Sequence, residues 1–139
     1  MEVQTYRDGW RHIRPQIRNA FSGNKIRNLD GAAVELDWSP DGTRVVGRDV
    51  PLGRYEPAPS ALYIMPADGS PRTRLTPIPN PTTGHNWARN PTWSPDGKWI
   101  AYETTNITTY LSEVWLVGPR GKVRYRLLER ATPMSWSPR

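Results

Sequence analysis

The sequence predicts an all-β fold of short strands joined by tight turns. Its 139 residues include 15 Pro and 11 Gly, which are spread along the chain and are typical of strand ends and turns. Only 36% of the residues are hydrophobic, but 7 Trp and 6 Tyr supply large apolar rings that disordered chains lack. A short motif that recurs along the chain is the third observation.

The recurring motif is Trp-Ser-Pro-Asp-Gly. Its first copy comprises Trp38, Ser39, Pro40, Asp41 and Gly42, and its second comprises Trp93, Ser94, Pro95, Asp96 and Gly97. A third copy begins at Trp136, and the Trp-to-Trp spacings are 55 and 43 residues. A repeat of four strands occupies roughly 40–50 residues, so the longer interval requires one enlarged loop.

The motif has the residue types of a hairpin turn followed by a bulge. Pro fixes φ near −65° at the second turn position, and Gly adopts the left-handed conformation that follows. We expect Ser39 and Ser94 to accept hydrogen bonds from turn amides, and Asp41 and Asp96 to be turn residues and not catalytic acids. Each motif Trp precedes its turn, where its ring can pack against the neighbouring unit.

Predicted strands surround the turns and give both units the same order. They span 34–38, 44–46, 61–65 and 73–76 in the first unit, and 91–93, 99–102, 113–117 and 123–127 in the second. Pro91 cannot donate to a ladder, which predicts that its strand lies at a sheet edge. Residues 16–21 and 25–29 look like the second strand–turn–strand half of a preceding unit.

These residues resemble a known repeat. Trp-Ser-Pro-Asp-Gly-Lys-x-Ile-Ala-Tyr from Trp93, with Leu-Tyr-Ile-Met-x-Ala-Asp-Gly-Ser from Leu62, is similar to the WD-like β-propeller repeat of TolB and its relatives. The resemblance implies a partial β-propeller of about two and a half four-stranded antiparallel blades. Family propellers close with about six or seven blades, so this number is too small to close a ring.

The resemblance divides the chain into four parts. Residues 1–29 form a basic N-terminal segment and the outer half of a blade, and residues 30–76 form the first full blade. Residues 77–128 form the second full blade, and residues 129–139 the first strand of a further blade. Open blade ends expose apolar sheet faces, so we expect a protein, either this chain itself or another subunit, to cover them.

Residues for catalysis are not apparent. The chain has no Cys, no Gly-x-Ser-x-Gly elbow, and two histidines, His12 and His85, that form no ligand pair. The sequence therefore predicts no catalytic residue, cofactor or metal, and favours a non-catalytic scaffold for protein–protein interaction or for self-assembly into a ring. The alternative from the resemblance is a fragment of a larger propeller-containing enzyme of the peptidase type.

Two long predicted loops carry residue types common at binding hot spots. The loop 48–60 contains Arg54 and Tyr55, and the loop 76–90 contains His85, Trp87 and Arg89. These five are the candidate partner-binding residues. Trp87 has a second interpretation, because its ring could instead cap a blade edge.

Charge and targeting signals leave the partner and the compartment open. The formal net charge is +6, with basic residues concentrated before Asp30, so an anionic partner is a further alternative, nucleic acid included. No stretch approaches the roughly 20 apolar residues of a membrane span. No signal peptide is visible, although TolB-like relatives are often periplasmic or extracytoplasmic.

Overall fold

The computed structural model describes residues 2–5, 11–14, 16–18, 21–28, 33–49, 60–78, 87–106, 109–129 and 136. These residues form β-strands and no helix, so no described segment is a helix that could cross a membrane. The strands, in chain order, are β1 (Glu2–Thr5), β2 (Arg11–Arg14), β3 (Gln16–Arg18), β4 (Lys25–Asn28), β5 (Ala33–Trp38), β6 (Arg44–Asp49), β7 (Ala61–Pro66), β8 (Thr73–Arg74), β9 (Trp87–Trp93), β10 (Ile100–Thr105), β11 (Ser112–Val117) and β12 (Arg124–Glu129).

Every ladder is antiparallel and joins strands that are consecutive in sequence, which confirms the all-β prediction. β1–β2 and β3–β4 are two-stranded hairpins, and β5–β8 and β9–β12 are four-stranded sheets, here named the first and second sheet. The strand containing Pro91 is at an edge of the second sheet, as predicted. The hairpin β1–β2 was not expected from the sequence.

The two four-stranded sheets have matching ladders at positions related by the spacing of the motif. Val45 pairs with Met65 in the first sheet, and Ile100, 55 residues after Val45, pairs with Val117 in the second. The first strand of each sheet, β5 and β9, contains a bulge at the corresponding place, where Glu35 and Asn90 have φ values of 54° and 51°. The two sheets therefore match in a backbone irregularity as well as in the turn.

The main core lies between the two sheets. We name the side of the first sheet that contacts the second sheet its forward face, with the buried side chains Val46, Leu62, Ile64 and Leu75. The opposing side of the second sheet is its rear face, with the buried side chains Ala88, Trp93, Ile100, Tyr102 and Val117. Burial of these nine side chains removes apolar surface from water and stabilises the stacking of the sheets.

A smaller core covers the other side of the first sheet. Ala33, Val45 and Met65 are buried there, and Ile17 of β3 packs against them. Val45 and Met65 occupy the positions of Ile100 and Val117 in the second sheet. Each sheet thus uses the same rear-face positions to contact the β-structure that precedes it.

Candidate interaction surface

The motif residues form the two turns that their types predict. Gly42 and Gly97 have φ values of 68° and 69°. Ser39 and Ser94 accept hydrogen bonds of 2.9 Å on their hydroxyl oxygens, from the backbone N–H of Arg44 and of Trp99 respectively. The expected turn geometry is confirmed in both copies, with Pro40 and Pro95 exposed at the turn.

The motif aspartates accept hydrogen bonds from groups of their own turns. The Ser39 hydroxyl donates to Asp41 at 2.6 Å, and the Ser94 hydroxyl donates to Asp96 at 2.7 Å. These hydroxyl bonds, followed by bonds from the backbone N–H two residues later, hold the pKa of each carboxyl below its ordinary value. Both carboxylates are therefore turn caps that stay ionised at neutral pH.

The three motif tryptophans have different environments. Trp93 is 4% exposed, and the guanidinium carbon of Arg44 lies 4.9 Å from its ring centroid, so it packs on the first sheet as predicted. Trp38 is 46% exposed, so its ring is less buried than that of Trp93. Ile17 of the preceding hairpin packs on the first sheet, against Ala33, Val45 and Met65. Trp136 is half-buried.

The edge of β9 is bound by carboxylates of β5. Asp37 accepts a 2.7 Å hydrogen bond from the backbone N–H of Trp93, and Glu35 accepts one of the same length from Asn90. Glu35 also pairs with Arg48 at 3.1 Å. Edge strands carry N–H groups without ladder partners, and here the preceding sheet provides acceptors for two of them.

Strand β9 of the second sheet corresponds to β5 of the first, but it carries different side chains at the two carboxylate positions. Asn90 and Thr92 occupy the positions of Glu35 and Asp37, so neither carboxylate is repeated. Trp136 lies against this strand, and its indole N–H donates to the carbonyl of Thr92 at 3.1 Å. The third motif tryptophan thus contacts strand β9 of the second sheet.

The forward face of the second sheet carries apolar side chains that are in part exposed, together with the buried Glu103, which pairs with Val114 in the ladder. Register places Ala101, Leu116 and Tyr125 in one row across it, with Val114 paired to Leu128 in the next row. Tyr125 is 56% exposed and Leu128 is 54% exposed, although the ring of Trp99 stacks edge-on against Tyr125 at 5.6 Å. In the first sheet, the comparable residue is Leu75, which directly follows β8. It is only 4% exposed.

Of the five candidate partner-binding residues, the structure describes Trp87 and Arg89. Arg54, Tyr55 and His85 lie outside the described residues. Trp87 and Arg89 lie on strand β9 and not in a loop, because β9 begins at Trp87 and pairs it with Thr105. The guanidinium carbon of Arg89 lies 5.5 Å from the Trp87 ring centroid.

The described residues contain no group of three His, Asp or Glu side chains that could hold a metal ion. No model of a known protein family matches the chain, and no curated protein matches it either. The proposals below therefore depend on the repeat, on packing and on charge.

Proposed function

We propose that the chain is a non-catalytic scaffold of TolB-like β-propeller repeats that binds protein through the forward face of its second sheet. The observation that carries this proposal is the contrast between equivalent faces. The forward face of the first sheet is buried by a further sheet, whereas Tyr125 and Leu128 on the forward face of the second are more than half exposed.

The composition of this face favours a protein partner. Tyr125, Leu128 and the half-buried Leu116 lie next to each other on the sheet, and adjoining apolar side chains are typical of surfaces that bind protein. In the chain itself, the equivalent face is covered by the rear face of a β-sheet. A second β-sheet with apolar rear-face positions is accordingly the partner structure that fits.

The occupant we propose is another copy of this chain. The hairpin β3–β4, on the other side of the first sheet from the second sheet, also exposes large apolar side chains. Ile26 is 58% exposed and Phe21 is fully exposed. Contact between this hairpin in one copy and the forward face of the second sheet in another is head-to-tail, an arrangement that forms rings when its rotation closes.

The test is association in solution, measured by light scattering over a range of micromolar concentrations. We expect the wild-type chain to associate and Leu128→Asp to reduce this association, because a carboxylate placed in the contact would be desolvated without a partner. Tyr110→Asp is the matched control. Tyr110 is 77% exposed, but it lies in the turn before β11 and not on the proposed face.

The outcomes separate self-assembly from other uses of the face. A wild-type chain that stays monomeric throughout this range would contradict self-assembly. Association that Leu128→Asp and Tyr110→Asp reduce equally would contradict the choice of this face. Circular dichroism on both variants is the control that tests whether they retain β-structure.

A further inference from the structure

A cavity of about 220 Å³ lies between the first and second sheets, away from the exposed forward face. Thr76 lines it from the first sheet's side. Tyr102, Thr104, Trp115 and Arg124 line it from the rear face of the second. It combines an indole wall, a guanidinium and hydroxyl groups, next to the apolar side chains of the core between the sheets.

The first sheet shows how this repeat fills the same position. There, Arg72 pairs with Asp49 at 3.3 Å, and its guanidinium carbon lies 4.4 Å from the ring centroid of Tyr63. The arginine therefore has a carboxylate partner and an aromatic surface within one unit. Arg72 precedes by two residues Arg74, which pairs with Tyr63 in the ladder.

The second sheet has the arginine and the aromatic ring but not the carboxylate. Arg124 precedes Arg126 by two residues, and Arg126 pairs with Trp115 as Arg74 pairs with Tyr63. Trp115 thus replaces Tyr63, and Arg124 replaces Arg72. The position of Asp49 is occupied by Thr104, because Asp49 pairs with Ala61 where Thr104 pairs with Glu113.

Neighbouring carboxylates are bound elsewhere. Glu113 accepts a hydrogen bond from the Trp115 indole at 2.9 Å and one from Arg126 at 3.2 Å. Glu103 accepts hydrogen bonds from Asn90 and from Ser112. Among the described residues, Arg124 forms no salt bridge.

Tyr102 adds a hydroxyl that the first sheet lacks, because its position there is Gly47. The residue is 2% exposed. Burial raises the pKa of its hydroxyl above the ordinary value, while the charge of Arg124 opposes that rise. Tyr102 is therefore protonated at neutral pH and able to donate a hydrogen bond to an anion.

We propose that this cavity binds a small organic acid whose carboxylate takes the place that Asp49 fills in the first sheet. Arg124 and the Tyr102 hydroxyl bind the carboxylate, and Trp115 contacts the apolar part of the acid. Sites for drug-sized ligands usually enclose about 300–1,000 Å³, so this smaller cavity suits a compact acid and not a peptide. The proposal does not depend on the scaffold function or on self-association.

Calorimetric titration with benzoate, and with benzamide as its neutral analogue, tests this proposal on the full chain. We expect benzoate to bind and benzamide to bind at least about tenfold more weakly, because a hydrogen-bonded charge is lost. Arg124→Gln should weaken benzoate binding to the same degree. The control Arg120→Gln should leave it unchanged, since Arg120 is exposed on the β11–β12 turn.

Thr104→Asp is the decisive variant. It restores within the chain the carboxylate of the first sheet, so it should pair with Arg124, raise the melting temperature and abolish benzoate binding. Benzoate binding that persists in Thr104→Asp would overturn the proposal, as would equal binding of benzoate and benzamide. Equal binding of inorganic phosphate would overturn the assignment to carboxylates. If Thr104→Asp fails to fold, Arg124→Gln and the benzamide comparison still decide the question.

Discussion

The backbone N–H of Asn90 donates a 2.7 Å hydrogen bond to the carboxylate of Glu35, 55 positions earlier in the chain. Asn90 lies in the bulge of β9 with φ of 51°, and Glu35 lies in the equivalent bulge of β5 with φ of 54°. The two bulges therefore join the sheets: the bulge of the first sheet supplies the acceptor, and the bulge of the second sheet supplies the donor.

Replacement of Glu35 should weaken the contact between the sheets. Glu35→Ala removes the acceptor of the Asn90 amide and the partner of Arg48, which is 7% exposed. We expect a loss of about 1–3 kcal/mol in the free energy of unfolding, measured by urea denaturation. Glu129→Ala removes a surface carboxylate bound to Arg126, and it should cost less than about 1 kcal/mol. Equal losses would show that the Glu35 contact stabilises the fold no more than a surface ion pair does.

The motif glycines should resist substitution for a backbone reason alone. Gly42 has φ of 68°, and a Cβ added there would meet no atom within 4 Å. Gly42→Ala should therefore lower the free energy of unfolding by about 1–2 kcal/mol, because residues with a Cβ disfavour the left-handed conformation by this amount. Gly118→Ala is the control, because that site is equally open and its φ is not positive. Thermal unfolding of both variants measures the difference.

Acid should weaken the turns. The pKa of Asp96 is lowered in the folded chain by the Ser94 hydroxyl and the Lys98 N–H. The pKa of Asp41 is lowered in the same way by the Ser39 hydroxyl and the Thr43 N–H. A lowered folded pKa gives stability that is present above the unfolded value of about 3.9 and is lost as the pH falls through the folded value. Asp96→Asn should be less stable than wild type at pH 7, and the gap should shrink below pH ~4. A gap that widens in acid would contradict this reasoning.

Trp87 should contribute to stability as a strand residue. Its ring is half-buried, with Arg89 stacked on it at 5.5 Å and Thr105 opposite it in the ladder. Trp87→Ala should lower the free energy of unfolding by roughly 1–3 kcal/mol, less than the loss at a fully buried Trp. Trp87→Phe keeps an apolar ring and should lose less. Unchanged stability in Trp87→Ala would return the residue to the partner-binding interpretation.

The sequence predicted the parts of the fold that depend on local geometry. Ser39, Gly42 and their copies adopt the turn that their residue types favour, and the strands around them have the expected order. The β9 start at Trp87 was not predicted, because its pairing partner is Thr105 on the next strand. The paired bulges at Glu35 and Asn90 were also missed, because neither position is Gly, and Asn, although enriched at positive φ, adopts it only occasionally.

The cavity could not be recognised from the motif. Its signal lies in a comparison that requires strand register, namely Arg124 in the position of Arg72. Once the sheets are aligned by their ladders, the missing carboxylate is visible in the sequence. Alignment by the motif alone reaches Asp49 and Thr104, but only pairing shows that Arg72 and Arg124 are equivalent.

The carboxylates of β5 also link the dynamics of the two sheets. The amides of Asn90 and Trp93 belong to the second sheet, but their acceptors Glu35 and Asp37 belong to the first. Opening of the first sheet alone would release these two amides to solvent exchange while the ladder of β10 and β11 stays closed. Their deuterium uptake therefore reports how cooperatively neighbouring repeats unfold.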